Sequence, residues 1–335
     1  MKNETLRLVQ LRFNGNRYVA VVLEPHLVLL SSYHSVYELA LAAIDSGKPI
    51  AGLIRDSKTE TKLDYNKIYN GRSEWILLPA FDVPDNPFMC LVSGTGLTHK
   101  NSALSRQSMH QQGEKPSDSI IMYQWGEKDG HPPAGTIGVQ PEWFYKGNGT
   151  VLKAHGSSLE VPSFANDGGE EPEVAGIYVI DQQGKPYRIG YTTGNEFSDH
   201  VMEKKNYLYL APSKLRQCAI GPELVINAEL KNVAGTVTIN RQGKEVWSSA
   251  IKSGEENMSH SLENLEYHHF KYAGHRIPYQ AHVHFFGADA FSFGSNIQLE
   301  DGDGMEVNWH GFGRALRNFV KTSGGQEEKI IINSI

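Results

Sequence analysis

Three glutamates, Glu170, Glu171 and Glu173, crowd the segment DGGEEPEVAGIYVID immediately before an apolar run. Like charges this close repel unless something positive stands among them. Past Pro172 the pattern is β-like, and strand side chains two residues apart share a face, so Glu171 and Glu173 are expected to project together. Two carboxylates on one face form half of a hard-cation site. Mg²⁺ and Mn²⁺ take oxygen ligands and keep several waters, so one more carboxylate would suffice. The candidate is Glu196, 25 residues after Glu171, on the next β-like run beyond the turn DQQGKPYR, where a hairpin would bring it alongside. An E-x-E pair taken alone is ordinarily a solvated strand end, so the pair needs support from elsewhere in the chain.

Histidines supply a rival constellation. His268, His269, His275, His282 and His284 fall within HHFKYAGHRIPYQAHVHFFGAD, and H-x-H on a strand puts His282 and His284 on one face. That spacing also opens the metal motif of cupins, and imidazole suits Fe²⁺, Ni²⁺ and Zn²⁺, which makes a cupin-like dioxygenase or isomerase the competing reading. The glutamate expected a few residues later is missing, since only Asp289 precedes Glu300. A hydrogen-bonded layer beneath an active site is the plainer account of these histidines.

The elements that would carry these residues are mostly strands. LRLVQLRF, NRYVAVVLE and HLVLLS read as three strands, and SVYELALAAIDSGKP as a helix capped by Ser35 and stopped by Gly47. FDVPDNPFM marks a boundary near residues 82 to 88. Beyond it, glycine-rich turns separate the β-like runs GIYVID, YRIGYTT, ELVINAEL, GTVTINRQG, KEVWSSAI, HVHFFG and MEVNWHGFG, with a short helix at SLENLEYHHF. Residues 94–119 are polar, carry Arg106 and Lys115, and lack a continuous apolar stripe, so a surface loop is expected that closes over ligand and carries His99 inward.

Composition narrows the function. Lys+Arg number 32 against Asp+Glu 38, a net charge of -6 with no basic stripe, which argues against nucleic acid. Cys90 and Cys218 fall in no paired spacing, so neither a disulfide framework nor a zinc ribbon is expected. The alternating N-terminus and the absence of a long apolar run suggest a cytoplasmic protein that does not enter the membrane.

The order of several dispersed motifs resembles the fumarylacetoacetate hydrolase superfamily. EPEVAGIYVI matches its E-x-E strand, GYTTGNEFS its G-Y-x-x-G-N-D-x-S, and SKLRQCAIGPELVI its lysine before a G-P dipeptide. Gly302, Asp303, Gly311, Gly313, Leu316 and Asn318 fall at the places of its C-terminal signature, so the resemblance runs from about Phe88 to Asn318. The segments GTGLTH, QPEWFYKG and GNEFSDHVME look like the branch associated with bacterial pentose and sugar-acid catabolism. The implied fold is α+β and mostly β: a small α+β cap over residues 1–85, a mixed β-sandwich or roll over 86–320 that carries catalysis, and a tail over 321–335.

Carried over position by position, the resemblance implies Glu171, Glu173 and Glu196 as ligands of Mg²⁺ or Mn²⁺, and Lys214 and His99 as catalytic groups. Phe144 and Lys146 match its F-x-K segment, and Gly94, Thr95, Lys146, Asn195, Ser198, His200 and Asp289 are the implied substrate contacts. Three departures stand out: Glu196 replaces an aspartate, His200 an arginine, and Gly287 to Asp289 a threonine-proline turn. The expected reaction is enolisation of a metal-chelated 2-oxo acid, with dehydration of a 2-oxo-3-deoxy pentonate by a homodimer. Lys214 is expected to have a lowered pKa and to handle the proton, with His99 donating to the leaving hydroxyl. The alternatives are C–C hydrolysis of a 2,4-dioxo acid, with His99 activating water, and a sugar-acid-binding regulator on an inactive scaffold.

Overall fold

The structure is a computed structural model and describes residues 5–110 and 116–335. Residues 1–4 of the N-terminal segment and 111–115 of the expected loop, Lys115 among them, lie outside the described residues.

Strands β1 (Leu6–Phe13), β2 (Asn16–Leu23) and β3 (His26–Leu30) form where apolar residues dominate the sequence. Helix α1 (Val36–Ser46) starts as expected, with the Ser35 hydroxyl accepting from the Glu38 N–H at 3.0 Å, and stops at Gly47, whose φ of 63° suits the C-terminal position. Helix α2 (Ile50–Ser57), strand β4 (Lys58–Asp64), helix α3 (Tyr65–Tyr69) and strand β5 (Ile76–Leu77) complete the N-terminal region.

The central strands are β6 (Cys90–Gly94), β7 (Phe144–Asn148), β8 (Leu152–Lys153), β10 (Pro172–Ile180), β11 (Pro186–Asn195), β12 (Cys218–Ile226) and β15 (Ala281–Phe285). They join the N-terminal strands in one sheet of order β4-β3-β2-β1-β12-β11-β10-β15-β6-β7, with β5 on β1 and β8 on β12. A second sheet runs β14-β13-β16-β17-β9, built from β9 (Ser158–Val161), β13 (Val233–Arg241), β14 (Lys244–Ser253), β16 (Gly304–Trp309) and β17 (Leu316–Thr322). The mostly β, α+β architecture is the one expected.

Strand β10 explains why EVAGIYVI shows no alternation. Ala175, Ile177 and Val179 pack into a core with α1 residues Val36, Leu39 and Ala40, whereas Val174, Tyr178 and Ile180 pack against Val237, Val307 and Trp309 of the second sheet. A strand covered on both faces reads as a continuous apolar run. On β15 the alternation survives, because Ala281, Val283 and Phe285 join the first core and His282 and His284 face the other way. Ala175 pairs with Phe285, so the face of β10 that carries Glu173 is the Phe285 face, opposite His284.

The expectation of a loop across 94–119 is corrected: α4 (Lys100–His110) is helical, and α5 (Asp118–Asp129) begins at the segment's end. Ala103 of α4, together with Leu97 before it, packs on Tyr123 of α5. The firmest anchor of α4 is Arg106, whose guanidinium meets Glu142 at 2.9 Å and Glu203 at 2.5 Å. A helix held by charges shows no apolar stripe. Helix α6 (His200–Lys205) carries His200, α7 (Leu210–Ser213) ends just before Lys214, and α8 (Leu262–Phe270) carries His268 and His269. Cys90 and Cys218 are buried free thiols, and no helix among the described residues is long and apolar enough to cross a membrane.

Candidate active site

The β10–β11 hairpin assembles the acidic group. Glu173 pairs with Gly194 and Pro172 with Asn195, and the Glu196 N–H donates to the Glu171 carbonyl at 2.9 Å. Register thus places Glu171 and Glu196 opposite one another, with Glu173 two residues along the same face. Carboxylate oxygens of all three lie within 4.8 Å of one another, and all three residues are buried.

Two lysines and one histidine offset this charge unevenly. Lys214, just past α7, donates to Glu171 Oε1 at 2.5 Å and to Glu196 Oε2 at 2.6 Å. Lys146 on β7 meets Glu196 Oε1 at 2.7 Å and also donates to the Phe197 carbonyl. His200 Nε2 lies 3.1 Å from Glu171 Oε1, and its ring stacks on Phe291 and Phe293. Among the described residues no cation contacts Glu173. One of its oxygens accepts from the Gly287 N–H at 2.6 Å, while Oε1 is buried without a partner.

The protonation preferences follow from this asymmetry. Burial opposes ionisation of Glu171, but Lys214 and His200 overcome it and hold the carboxyl well below its ordinary range. Burial pushes Glu173 well above that range, and Glu196 and Glu171 add to the rise. Burial also works against the Lys214 ammonium, yet Glu171 and Glu196 prevail and push it up. The expectation of a lowered Lys214 pKa is therefore corrected: two carboxylates in direct contact outweigh desolvation. Lys146 is the lysine whose pKa falls, through burial that Glu196 only partly offsets.

His99 is fully buried and held neutral, its pKa lowered to about 4 by burial. Hydrogen-bond logic fixes its tautomer. The Thr98 hydroxyl donates to the Phe286 carbonyl at 2.6 Å, so at 2.9 Å it accepts from His99 Nδ1–H. Nε2 then carries a lone pair, and it has no partner among the described residues. This is a neutral acceptor, as a base requires.

Among the other expected contacts, the structure gathers Lys146, Ser198 and His200 at the carboxylates, with the Ser198 hydroxyl donating to Glu196 Oε2 at 2.8 Å. Gly94 lies under the Phe144 ring, where a Cβ has no room, and Lys214 Nζ sits 4.7 Å from the centre of that ring. Asn195 accepts from the Glu171 N–H at 3.3 Å, so it braces the hairpin. Thr95 meets His284 Nε2 at 2.9 Å on the opposite face of the sheet, and Asp289 accepts from Asn101 and from the Lys252 N–H.

Several supports escaped the sequence. Glu170, the third acid of the opening segment, is spent on the Ser292 N–H at 2.6 Å and hydroxyl at 2.7 Å, which holds the Phe291–Phe293 turn against His200. Trp309 Nε1–H donates to the Glu173 carbonyl at 3.0 Å. Gly287 has φ 95°, and a Cβ there would run into Thr98 Oγ1, so only glycine lets its N–H reach Glu173. The GAD segment that looked like a departure therefore carries a required glycine. The Arg106–Glu142–Glu203 cluster gave no signal, because charged residues on helices ordinarily face water.

The site fits a divalent cation. Its donors are all oxygen, and the one carboxyl without a cation also presents an orphaned buried oxygen.

No family model matches the chain. It is 33% identical over 122 residues to a 2-dehydro-3-deoxy-D-arabinonate dehydratase of Saccharolobus solfataricus, covering 35% of this chain and 40% of that protein. It is 26% identical over 188 residues to a probable 2-keto-3-deoxyxylonate dehydratase of Haloferax volcanii, covering 55% of this chain and 61% of the other. The matched regions thus span less than two thirds of either relative. Solved structures share the whole architecture. A 2-keto-3-deoxy-D-arabinonate dehydratase in apo form has TM-score 0.70 at 19% identity, covering 95% of this chain and 100% of the other. The same enzyme complexed with magnesium and 2,5-dioxopentanoate has TM-score 0.69 at 19% identity, covering 95% and 99%. Sequence relatives and fold together bear out the resemblance to the fumarylacetoacetate hydrolase superfamily, within which the similarity of this chain runs to the 2-keto-3-deoxy sugar-acid dehydratases.

Proposed function

We propose that this chain is a divalent-metal-dependent dehydratase of a 2-oxo-3-deoxy sugar acid, with a 2-oxo-3-deoxy pentonate as substrate. The observation that carries this reading is the buried triad of Glu171, Glu173 and Glu196, with no cation in direct contact with Glu173 among the described residues. The names of the curated relatives supply the substrate class. Mg²⁺ or Mn²⁺ would be held by these three carboxylates and, when bound, stabilises negative charge developing on the 2-oxo oxygen.

The protein groups divide the proton work in the reverse of the order expected from sequence. His99, with its Nε2 lone pair, takes a proton from the third carbon of the substrate. The C–H electron pair forms the enol double bond, then returns to expel the hydroxyl on the fourth carbon. Lys214, kept protonated by Glu171 and Glu196, supplies the proton that turns this hydroxyl into water. Elimination restores the 2-oxo group and leaves a double bond between the third and fourth carbons; loss of a proton from the fifth carbon and return of one to the third shifts it to the fourth and fifth, and tautomerisation of that enol gives a 2,5-dioxo acid, a net loss of one water. Phe144 walls the Lys214 ammonium from solvent. His200 holds Glu171 in place from between two phenylalanines and takes no part in gripping substrate. A cytoplasmic homodimer belongs to the same reading.

The orphaned Nε2 of His99 also suits activation of water, so hydrolysis of a 2,4-dioxo acid is the second reading. Incubating Mg²⁺-loaded protein separately with a 2-oxo-3-deoxy pentonate and with an acylpyruvate, then weighing the products, separates the two. Loss of one water from the pentonate is expected. Cleavage of the acylpyruvate alone would favour the hydrolase, and no turnover of either would favour a binding protein.

A further inference from the structure

One peptide group links His99 to the acidic triad. Its N–H, from Gly287, donates to Glu173 Oε2 at 2.6 Å, and its carbonyl, from Phe286, accepts from the Thr98 hydroxyl at 2.6 Å. The same hydroxyl accepts from His99 Nδ1–H at 2.9 Å. A continuous chain of hydrogen bonds therefore runs from the imidazole, through one hydroxyl and one main-chain amide, to a carboxylate of the triad. Every residue in it is buried.

The backbone around Thr98 holds that hydroxyl still. Leu97 before it has φ 56°, a left-handed conformation uncommon for any residue but glycine, and its side chain packs on Ala103 and Tyr123. The Thr98 carbonyl accepts from the Ser259 N–H at 2.8 Å, and the Thr95 N–H donates to the Phe285 carbonyl at 2.9 Å, so the turn from Thr95 to Thr98 is tied at both ends. A Cβ on Gly287 would come within 2.1 Å of Thr98 Oγ1, which shows how closely the hydroxyl lies against this peptide. Phe286 is fixed to β10 independently of Thr98, since its N–H donates to the Val174 carbonyl at 3.1 Å.

A hydroxyl has one hydrogen to give. Because the Phe286 carbonyl takes it, Thr98 Oγ1 offers the imidazole only lone pairs, and the Nδ1–H tautomer alone satisfies both groups. Nothing among the described residues competes for the ring, since His99 Nε2 has no partner. Without the hydroxyl, Nδ1–H would be a buried donor with no acceptor, an arrangement that folded proteins avoid. The ring then keeps its proton on Nε2, and the lone pair that faces outward is lost.

We propose that Thr98 is a positioning residue for proton transfer at the third carbon of the substrate: its hydroxyl, committed to the Phe286–Gly287 peptide, holds the His99 ring with Nδ1 protonated and the Nε2 lone pair open. The inference rests on the role proposed above for His99 as proton acceptor. Thr98 acts through His99 and not on the substrate.

The test compares Thr98→Val, which keeps the shape of the side chain and removes the hydroxyl, with Thr98→Ser, which keeps the hydroxyl. Long-range proton–nitrogen NMR of the full chain carrying isotope-labelled histidine reports the protonated ring nitrogen without substrate, and His99 is assigned by its absence from His99→Gln. The proton is expected on Nδ1 in the wild type and in Thr98→Ser, and on Nε2 in Thr98→Val. With Mg²⁺ and a 2-oxo-3-deoxy pentonate, kcat should fall about a hundredfold in Thr98→Val and return to within about fivefold of wild type in Thr98→Ser. KM and the calorimetric Kd for Mg²⁺ should stay within about threefold in both, because Glu173 keeps the Gly287 N–H. If Thr98→Val does not fold, Thr98→Ala makes the same deletion with less bulk. Four results overturn the proposal: a wild-type proton on Nε2, an unchanged tautomer when the hydroxyl is removed, no recovery in Thr98→Ser, or a Mg²⁺ Kd that rises in step with the loss of kcat. A wild type without turnover would strike the dehydratase reading instead, and Thr98 is then judged on the tautomer alone.

Discussion

Glu173→Gln isolates the part of the site that lacks a cation. In the metal-free protein the Glu173 carboxyl is buried, has one N–H donor and no cation in contact among the described residues, and is pushed well above its ordinary pKa by burial and by Glu196 and Glu171. In the unfolded chain it ionises near its usual value of 4.5. The sign follows: between the unfolded and the raised folded pKa the native state holds one more proton than the unfolded state, so stability falls as pH rises through that window. The slope is about 1.4 kcal/mol per pH unit for this one group. The glutamine variant lacks the slope. Without metal it should therefore be at least as stable as the wild type at neutral pH and gain on it as pH rises within the window.

Adding Mg²⁺ reverses the comparison. A ligand present at a hundred times its Kd stabilises the native state by about 2.7 kcal/mol. The 335 residues, at about 2.1 cal/mol/K each, give an unfolding entropy of about 0.7 kcal/mol/K, so the wild type should gain about 4 °C in Tm. The variant should gain almost nothing, because a neutral amide is a poor hard-cation ligand. Titration calorimetry in two buffers of different ionisation enthalpy supplies the second reading: up to one proton released per ion bound by the wild type at neutral pH. Equal Mg²⁺ stabilisation of both proteins, or binding without proton release in acidic buffer where Glu173 is protonated, would refute the assignment.

The remaining expectations use other parts of the molecule. Glu196→Asp shortens the acid by one methylene and should keep Mg²⁺ affinity within about tenfold in a calorimetric titration, about 1.4 kcal/mol; complete loss would mean the hairpin is set for glutamate. Gly287→Ala places a Cβ against Thr98 at φ 95°; it should cost about 1–3 kcal/mol in thermal unfolding and weaken Mg²⁺ binding through Glu173. His155 is mostly buried against Tyr69 with its pKa lowered to about 4, mainly by burial. As pH falls below the unfolded value of 6.5, the unfolded chain takes the proton first, so the wild type should lose about 1–2 kcal/mol more than His155→Gln between pH 7 and pH 5 in paired denaturant titrations. Light scattering at micromolar concentration should report a dimer, and a strict monomer would count against the homodimer.

What could be read from the sequence depended on whether a residue's task leaves a periodic trace. The triad was legible because period two and a hairpin register are geometric necessities: once Glu173 starts a strand and Gly194 pairs with it, Glu171 and Glu196 have to meet. The first strands and α1 were legible for the same reason, with Ser35 and Gly47 punctuating an apolar pattern. Helix α4 was missed because its buried anchor is an arginine, and a charged side chain carries no mark of which face is covered. Which of Glu170 and Glu171 joins the buried carboxylate cluster could be decided only by strand parity, and the structure spends Glu170 on Ser292 instead. The exchange of roles proposed for Lys214 and His99 lies deeper still. It rests on two distances that hold an ammonium charged and on one threonine hydroxyl whose hydrogen is already committed to the Phe286 carbonyl. Residue type gave both groups the ability to move a proton, and the neighbours alone determine that one starts with a proton to give and the other with a lone pair to receive one.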